Sequence, residues 1–284
     1  MDDPTTTTGS GERPARRRVR LRVAYDGTGF HGFAINTGVR TVAGELTRAI
    51  STVVREPVEL TGAGRTDAGV HGWGQVVHVD LPDGTDADAL VRRVNKLCAP
   101  DLSVREPVWV DDDFDARFSA TWREYRYHVW NDPVPNPLVA RTAWHVPRPL
   151  SMWALQAAGD PLIGEHDFAS FCRRPDVGPD RPPPSLVRRV LLVRWSQPGD
   201  APLLRFEIRA TAFCHQMVRS IVGTMVDVGL GRLSAGEINA ILRARDRRVA
   251  GAVAPPHGLV LWDVGYEGER WDHGRSERRW LPRG

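Results

Sequence analysis

The chain has 284 residues with a formal net charge of +3, and its 41% hydrophobic content is enough to bury a core without disulfides or metal. No run of about 18 apolar residues is present to cross a membrane as a helix, and the opening MDDPTTTTGSGERPARRR has no apolar stretch of the kind a secretory signal needs. The three cysteines form no CxxC and leave an odd count, which argues against a disulfide framework and fits a reducing cytoplasm, and the single lysine, Lys96, stands in no GxxxxGK, which excludes a P-loop NTPase.

The length predicts roughly two domains. Residues 1–17, rich in Thr, Gly, Pro and Arg, read as a flexible N-terminal tail. Residues 18–26 (RVRLRVAYD) alternate polar and apolar as a half-buried strand does. Residues 41–54 place Val42, Leu46, Ile50 and Val53 on one helical face. Strands follow at 57–61 and 73–81, then a helix at 86–98 with Asp86 as N-cap and Leu90, Val94 and Leu97 inward. Residues 103–110 and 122–130 are strand-like, the second with Arg123, Tyr125, Tyr127 and Val129 on one face. Further along, a helix after Ser151 is cut at Pro161, residues 173–184 form a Pro-rich loop, and strands fall at 186–196 and 202–210. A long apolar helix spans 213–230, Ser234 with Glu237 makes a capping box for another helix, and residues 259–266 close as a strand. Residues 268–284 read as a C-terminal tail in which Trp271, Trp280 and Leu281 are available to dock. The expected fold class is α+β, with two similar α/β-layer halves, 18–120 and 121–267, side by side.

Four motifs carry chemistry. Gly27-Thr28-Gly29-Phe30-His31-Gly32 is a literal GxGxxG after a strand, but a dinucleotide site needs a helix to start among the glycines, and here the helical pattern begins only near Thr41. The run 63–71 (AGRTDAGVH) joins two strands; it fits either an Asx-turn with a solvated arginine or a carboxylate, Asp67, placed in a cleft as nucleophile or base. The segment Arg123-Glu124-Tyr125-Arg126-Tyr127 fits either core tyrosines with outward arginines or a strand on which unpaired bases stack. Arg219 lies inside the longest apolar helix, where it is either at the surface or buried with a partner such as Asp67, since an unpaired buried charge is costly. Cys214-His215 with Cys172 matches no common zinc spacing, so no metal is expected. The arginine clusters at 173–174, 188–189 and 243–248 form a binding patch only if the fold brings them together.

At 62–78 (GAGRTDAGVHGWGQVVH) the chain closely resembles the tRNA pseudouridine synthase A family. Further matches follow in order: AYDGTGFHG (24–32), NKLCAPDLSV (95–104), DDFDARFSATWREYRY (112–127), GEHDFASF (164–171), HQMVRSIVGTMVDVG (215–229) and APPHGLVLWDVGY (254–266). The resemblance spans 18–267 and implies a pseudouridine synthase fold, with a mostly antiparallel sheet joining the halves beneath a central RNA-binding cleft. It implies isomerisation of uridines at positions 38, 39 and 40 in the tRNA anticodon stem-loop, by a cytoplasmic homodimer that uses no cofactor. By resemblance Asp67 is the catalytic aspartate, Arg65 assists nucleotide flipping, and Arg219 pairs with the aspartate. Tyr125 stacks on the target base and Leu259 lines the pocket. The chain departs from the family pattern at Phe33-Ala34-Ile35-Asn36, at Ala43 and near 185–188. A catalytically silent RNA-binding protein and a nucleotide-dependent oxidoreductase using GTGFHG are the competing classes.

Overall fold

A computed structural model describes residues 15–174 and 184–268. The two tails, almost in full, and most of the Pro-rich loop lie outside the described residues. Ten strands are found among those described: β1 (Arg16–Tyr25), β2 (Leu60–Gly62), β3 (His71–Pro82), β4 (Leu102–Val110), β5 (Ala120–Trp130), β6 (Trp144–His145), β7 (Gly164–Asp167), β8 (Val187–Ser196), β9 (Leu203–Ala210) and β10 (Leu259–Tyr266). They make one sheet in the order β4-β1-β3-β10-β5-β9-β8-β7, with β2 paired to β3 and β6 to β5. Pairing is antiparallel except at β3–β10 and β5–β6. The last of the described strands, β10, is therefore a central one, and it joins the two halves of the sheet.

Both halves place their helices on the same face of the sheet. In the first, α1 (Val42–Val54) and α2 (Ala87–Cys98) bury Val42, Leu46, Ile50, Leu90 and Val94 against Val19, Leu21, Val23, Val77 and Val79. Thr41 Oγ1 accepts the Gly44 N–H at 3.3 Å and Asp86 Oδ1 accepts the Ala89 N–H at 2.9 Å, so each helix starts at a side-chain cap. In the second, α3 (Met152–Ala157), α4 (Met217–Gly229) and α5 (Glu237–Ala244) cover a core containing Tyr127, Phe206, Ile208, Ile221 and Met225. Each such aliphatic or aromatic side chain contributes about 1.5–3 kcal/mol by leaving water.

The helix expected at 213–230 begins only at Met217, because Gln216 adopts a left-handed conformation with φ +63° and residues 211–216 form a loop. The strand expected at 57–61 is confined to Leu60–Gly62, and α3 stops at Ala157, before Pro161. Helix α5 begins at Glu237 itself. Glu237 Oε2 accepts from Ser234 N–H at 2.6 Å and from its hydroxyl at 2.9 Å, so the paired residues cap the turn that precedes the helix.

The other sheet face carries charge. Glu124, Arg126 and Glu207 are nearly fully buried there. Arg126 Nε lies 3.2 Å from Glu124 and 3.1 Å from Glu207, Arg209 bonds Glu124 at 2.5 Å, and Arg194 lies 2.6 Å from Glu207. Arg126 stacks over Trp262 and Arg209 over Trp122. The arginines alternating with the β5 tyrosines thus divide by face: Arg126 pairs with carboxylates, and Arg123 sides with Tyr125.

Candidate active site

Residues 63–70 connect β2 to β3 and carry Asp67. Their small residues let two other segments, 30–33 and β3, hold the loop by its backbone. Phe33 N–H donates to the Thr66 carbonyl at 3.0 Å, Gly69 N–H to Phe30 at 3.3 Å, and Gln75 Nε2 to the Gly64 carbonyl at 2.8 Å. Thr66 Oγ1 bonds the buried Tyr25 hydroxyl at 2.9 Å. Gly32, at φ +94°, sits so close that a Cβ there would lie 2.9 Å from the Thr66 carbonyl oxygen. Gly27 abuts the Val70 carbonyl in the same way. The GTGFHG segment is therefore a buttress for this loop. It forms a short 3-10 turn at Gly27–Gly29, and the first amides of α1, Val42 and Ala43, are already spent on the Gly32 and Phe33 carbonyls at 3.1 and 2.9 Å, so they are not offered to a phosphate.

Two basic side chains from the second half meet Asp67. Arg219 Nη1 donates to Asp67 Oδ2 at 3.0 Å, and His215 Nε2 lies 3.4 Å from Oδ1. Arg219 is itself braced, with Nε on the Ala254 carbonyl at 2.8 Å and its own carbonyl accepting the Ala254 N–H at 3.1 Å. The apolar sides of α4 are thus buried while the one charge on its first turn points at a carboxylate 152 residues away.

Tyr125 is only 8% exposed. Burial pushes its hydroxyl pKa up, and the nearby Tyr25 and Asp67 add to the shift, so the phenol stays protonated. Phe213 packs edge-on against the Tyr125 ring with centroids 5.0 Å apart. Leu259 lies on the same sheet face but pairs with Tyr127; Leu261 is the residue opposite Tyr125. Arg65 is exposed, with no hydrogen bond or ion pair among the described residues.

The sequence places Arg123 on the Tyr125 face of its strand but gives it no role in the site. Its guanidinium makes five hydrogen bonds, all to backbone carbonyls: two to Ala63, at 3.3 and 3.0 Å, and one each to Ala120 at 3.1 Å, Thr211 at 2.9 Å and Arg117 at 2.5 Å. Burial pulls its pKa below the ordinary arginine value, and no carboxylate compensates among the described residues. One side chain therefore ties together the Asp67 loop, β5, the 111–119 segment and the loop bearing Phe213 and His215. The only signal in sequence was its position two residues before Tyr125 on a strand.

Known proteins resemble the chain over most of its length. A family model described as tRNA pseudouridine synthase matches residues 158–267. The tRNA pseudouridine synthase A of Bacillus subtilis (strain 168) is 36% identical over 252 residues, covering 88% of this chain and 99% of that protein. The chain belongs to the tRNA pseudouridine synthase A family. Proteins of the same name from Caulobacter sp. (strain K31) and Cutibacterium acnes are 40% and 42% identical, covering 89% and 88% of this chain and 99% and 88% of theirs. The family model lies within the second half of the chain, and the relatives are similar over most of its length. No helix among the described residues is long and apolar enough to cross a membrane.

Proposed function

We propose that this chain isomerises uridine to pseudouridine in tRNA, at positions 38, 39 and 40 of the anticodon stem-loop, with Asp67 as the essential group. The observation that carries the reading is the convergence of Arg219, His215 and Tyr125 on a single carboxylate, Asp67.

The reaction breaks the N1–C1′ bond, turns the uracil and joins C5 to C1′. A proton leaves C5 and N1 gains one, so atoms and electrons balance without oxidant, reductant or cofactor. A carboxylate must act at the sugar, either by adding to C1′ or by removing the C2′ proton. Asp67 needs to remain ionised when the site closes, and the Arg219 guanidinium opposes the desolvation cost of that charge. Tyr125 holds the uracil face while the ring is detached, and Leu259 with its neighbours on β10 supplies the apolar wall. A stem uridine must first leave its stack, at a cost of a few kcal/mol. Arg65, exposed and uncommitted, is placed to hold the flipped nucleotide. The enzyme acts as a cytoplasmic homodimer, a reading supported by the family resemblance alone.

The test is tritium release from tRNA labelled at uracil C5, with wild type and Asp67→Asn side by side. Wild type releases tritium; Asp67→Asn folds, binds tRNA and releases none. Turnover of the variant near the wild-type rate would sink the assignment. Binding of tRNA weakens steeply between about 50 and 200 mM salt as phosphate contacts release counterions, and a flat salt response would argue against a basic cleft.

A further inference from the structure

Two of the three cysteines face each other behind the site. Cys172 is almost fully buried in the second core, and Cys214 is partly exposed beside it. The Cys172 thiol hydrogen-bonds to the Cys214 sulfur. Cys214 Sγ in turn lies 3.9 Å from the Leu186 carbonyl. The backbones are tied alongside, with Arg173 N–H donating to the His215 carbonyl at 3.0 Å. The third cysteine, Cys98, belongs to the other core, where burial pushes its thiol up to about 11.

Cys214 stands between Phe213, which covers Tyr125, and His215, which touches Asp67. The 211–216 loop that carries all three therefore touches both Tyr125 and Asp67. We propose that Cys172 and Cys214 are a modification site at which a reversible intrachain disulfide locks the 211–216 loop and shuts the candidate active site. The functional half of this inference rests on the isomerase reading.

The chemistry is thiol–disulfide exchange with a small disulfide such as oxidised glutathione. The Cys214 thiolate attacks the incoming disulfide, whose S–S bond breaks and releases one glutathione thiol. Cys172, deprotonated in its turn, attacks Cys214 in the mixed disulfide and expels the second. Two protein thiols are oxidised by two electrons and one disulfide is reduced to two thiols. Cys214 is the attacking sulfur because it is the one solvent reaches, being partly exposed where Cys172 is almost fully buried. A disulfide holds its sulfurs about 2.05 Å apart, well inside any thiol hydrogen bond, so its closure draws Cys214 toward the buried partner and holds the loop there.

The experiment exposes the full chain to graded ratios of oxidised to reduced glutathione. Three signals are then read: peptide mass mapping, hydrogen exchange of the 211–216 peptide, and tritium release from C5-labelled tRNA. The expected result is a 172–214 cross-link, at least threefold slower exchange in that loop and at least tenfold lower turnover, all reversed by dithiothreitol. Cys98→Ser behaves as wild type. Cys172→Ser and Cys214→Ser show no intrachain cross-link and keep the fast exchange. The absence of the cross-link, or its formation with loop exchange and turnover unchanged, overturns the proposal. An inactive reduced protein would count against the isomerase reading, while the map and the exchange still decide on the lock.

Discussion

Arg123→Leu tests the idea that one guanidinium aligns the Asp67 loop with the Tyr125 strand. The bonds to Ala63 and Ala120 are part-buried, whereas those to Thr211 and Arg117 lie near solvent, where water replaces the lost donor. A hydrogen bond from a charged donor contributes about 1.5–3 kcal/mol. Two poorly hydrated carbonyls thus lose on the order of 3–6 kcal/mol, and relief of the buried charge offsets part of it. The net destabilisation is on the order of 2–4 kcal/mol, or a melting temperature lower by roughly 5–15 °C for a chain of this size. Arg123→Lys keeps one or two of the bonds and falls between. Below the melting range, turnover in the tritium assay drops at least tenfold for the leucine variant while the tRNA Kd changes less than threefold, since displacement of a reacting group by about 1 Å costs on the order of a hundredfold in rate. A leucine variant that melts within about 1 °C of wild type and turns over normally would refute the reasoning.

Three further outcomes are expected. Tyr125→Phe keeps the ring and most tRNA affinity, while Tyr125→Ala loses turnover and also destabilises by about 3–5 kcal/mol through the cavity it leaves; equal activity of all three proteins would exclude a base contact. Phe213→Ala uncovers the Tyr125 ring without touching Asp67 and lowers the KM for tRNA, read from steady-state kinetics; a raised KM would mean that Phe213 grips the base. Burial, with Arg205 and Arg126 alongside, pulls His128 down to about 4. The unfolded chain takes up this proton near pH 6.5, so stability falls as the pH drops from there toward about 4 and levels below it. Denaturant titrations at pH 7, 5.5 and 4.5 read this slope, and a His128→Asn variant with an undiminished slope would rule it out.

Much of the fold was legible where local pattern and tertiary burial agree. The alternation of 18–26 and the apolar run of 259–266 fall on strands because each side chain's period matches the face it covers. Asp86 announced α2 because its carboxylate satisfies an amide within four residues. The start of α4 was not legible: apolar content continues upstream through Phe213, but the chain turns left-handed at Gln216, just after His215, whose contacts to Arg173 and Asp67 no local window contains. The site divides in the same way. An arginine in an apolar helix demands a partner, so Arg219 and a carboxylate were connectable by cost alone. The role of Arg123 was invisible because its partners are carbonyls, which every residue has, brought from segments up to 88 residues distant. The separation of Arg126 from Arg123 followed from strand alternation, but its burial depended on Glu207 across the sheet.

The central place of β10 has a consequence for synthesis. The ribosome delivers the strand that joins the two halves after every other described strand has been made. Until then the stretches that β10 will pair, His71–Gly72 of β3 and residues 120–127 of β5, lack that neighbour and expose unpaired amides and carbonyls, the condition under which nascent chains pair with the wrong partner. The aspartate loop hangs from β3 and the tyrosine sits on β5, so the two reach their mutual positions only when residues 259–266 slot between them. A ribosome stalled short of that point would display two half-sites and no working one, and the cell would carry an edge-exposed fragment in need of a chaperone.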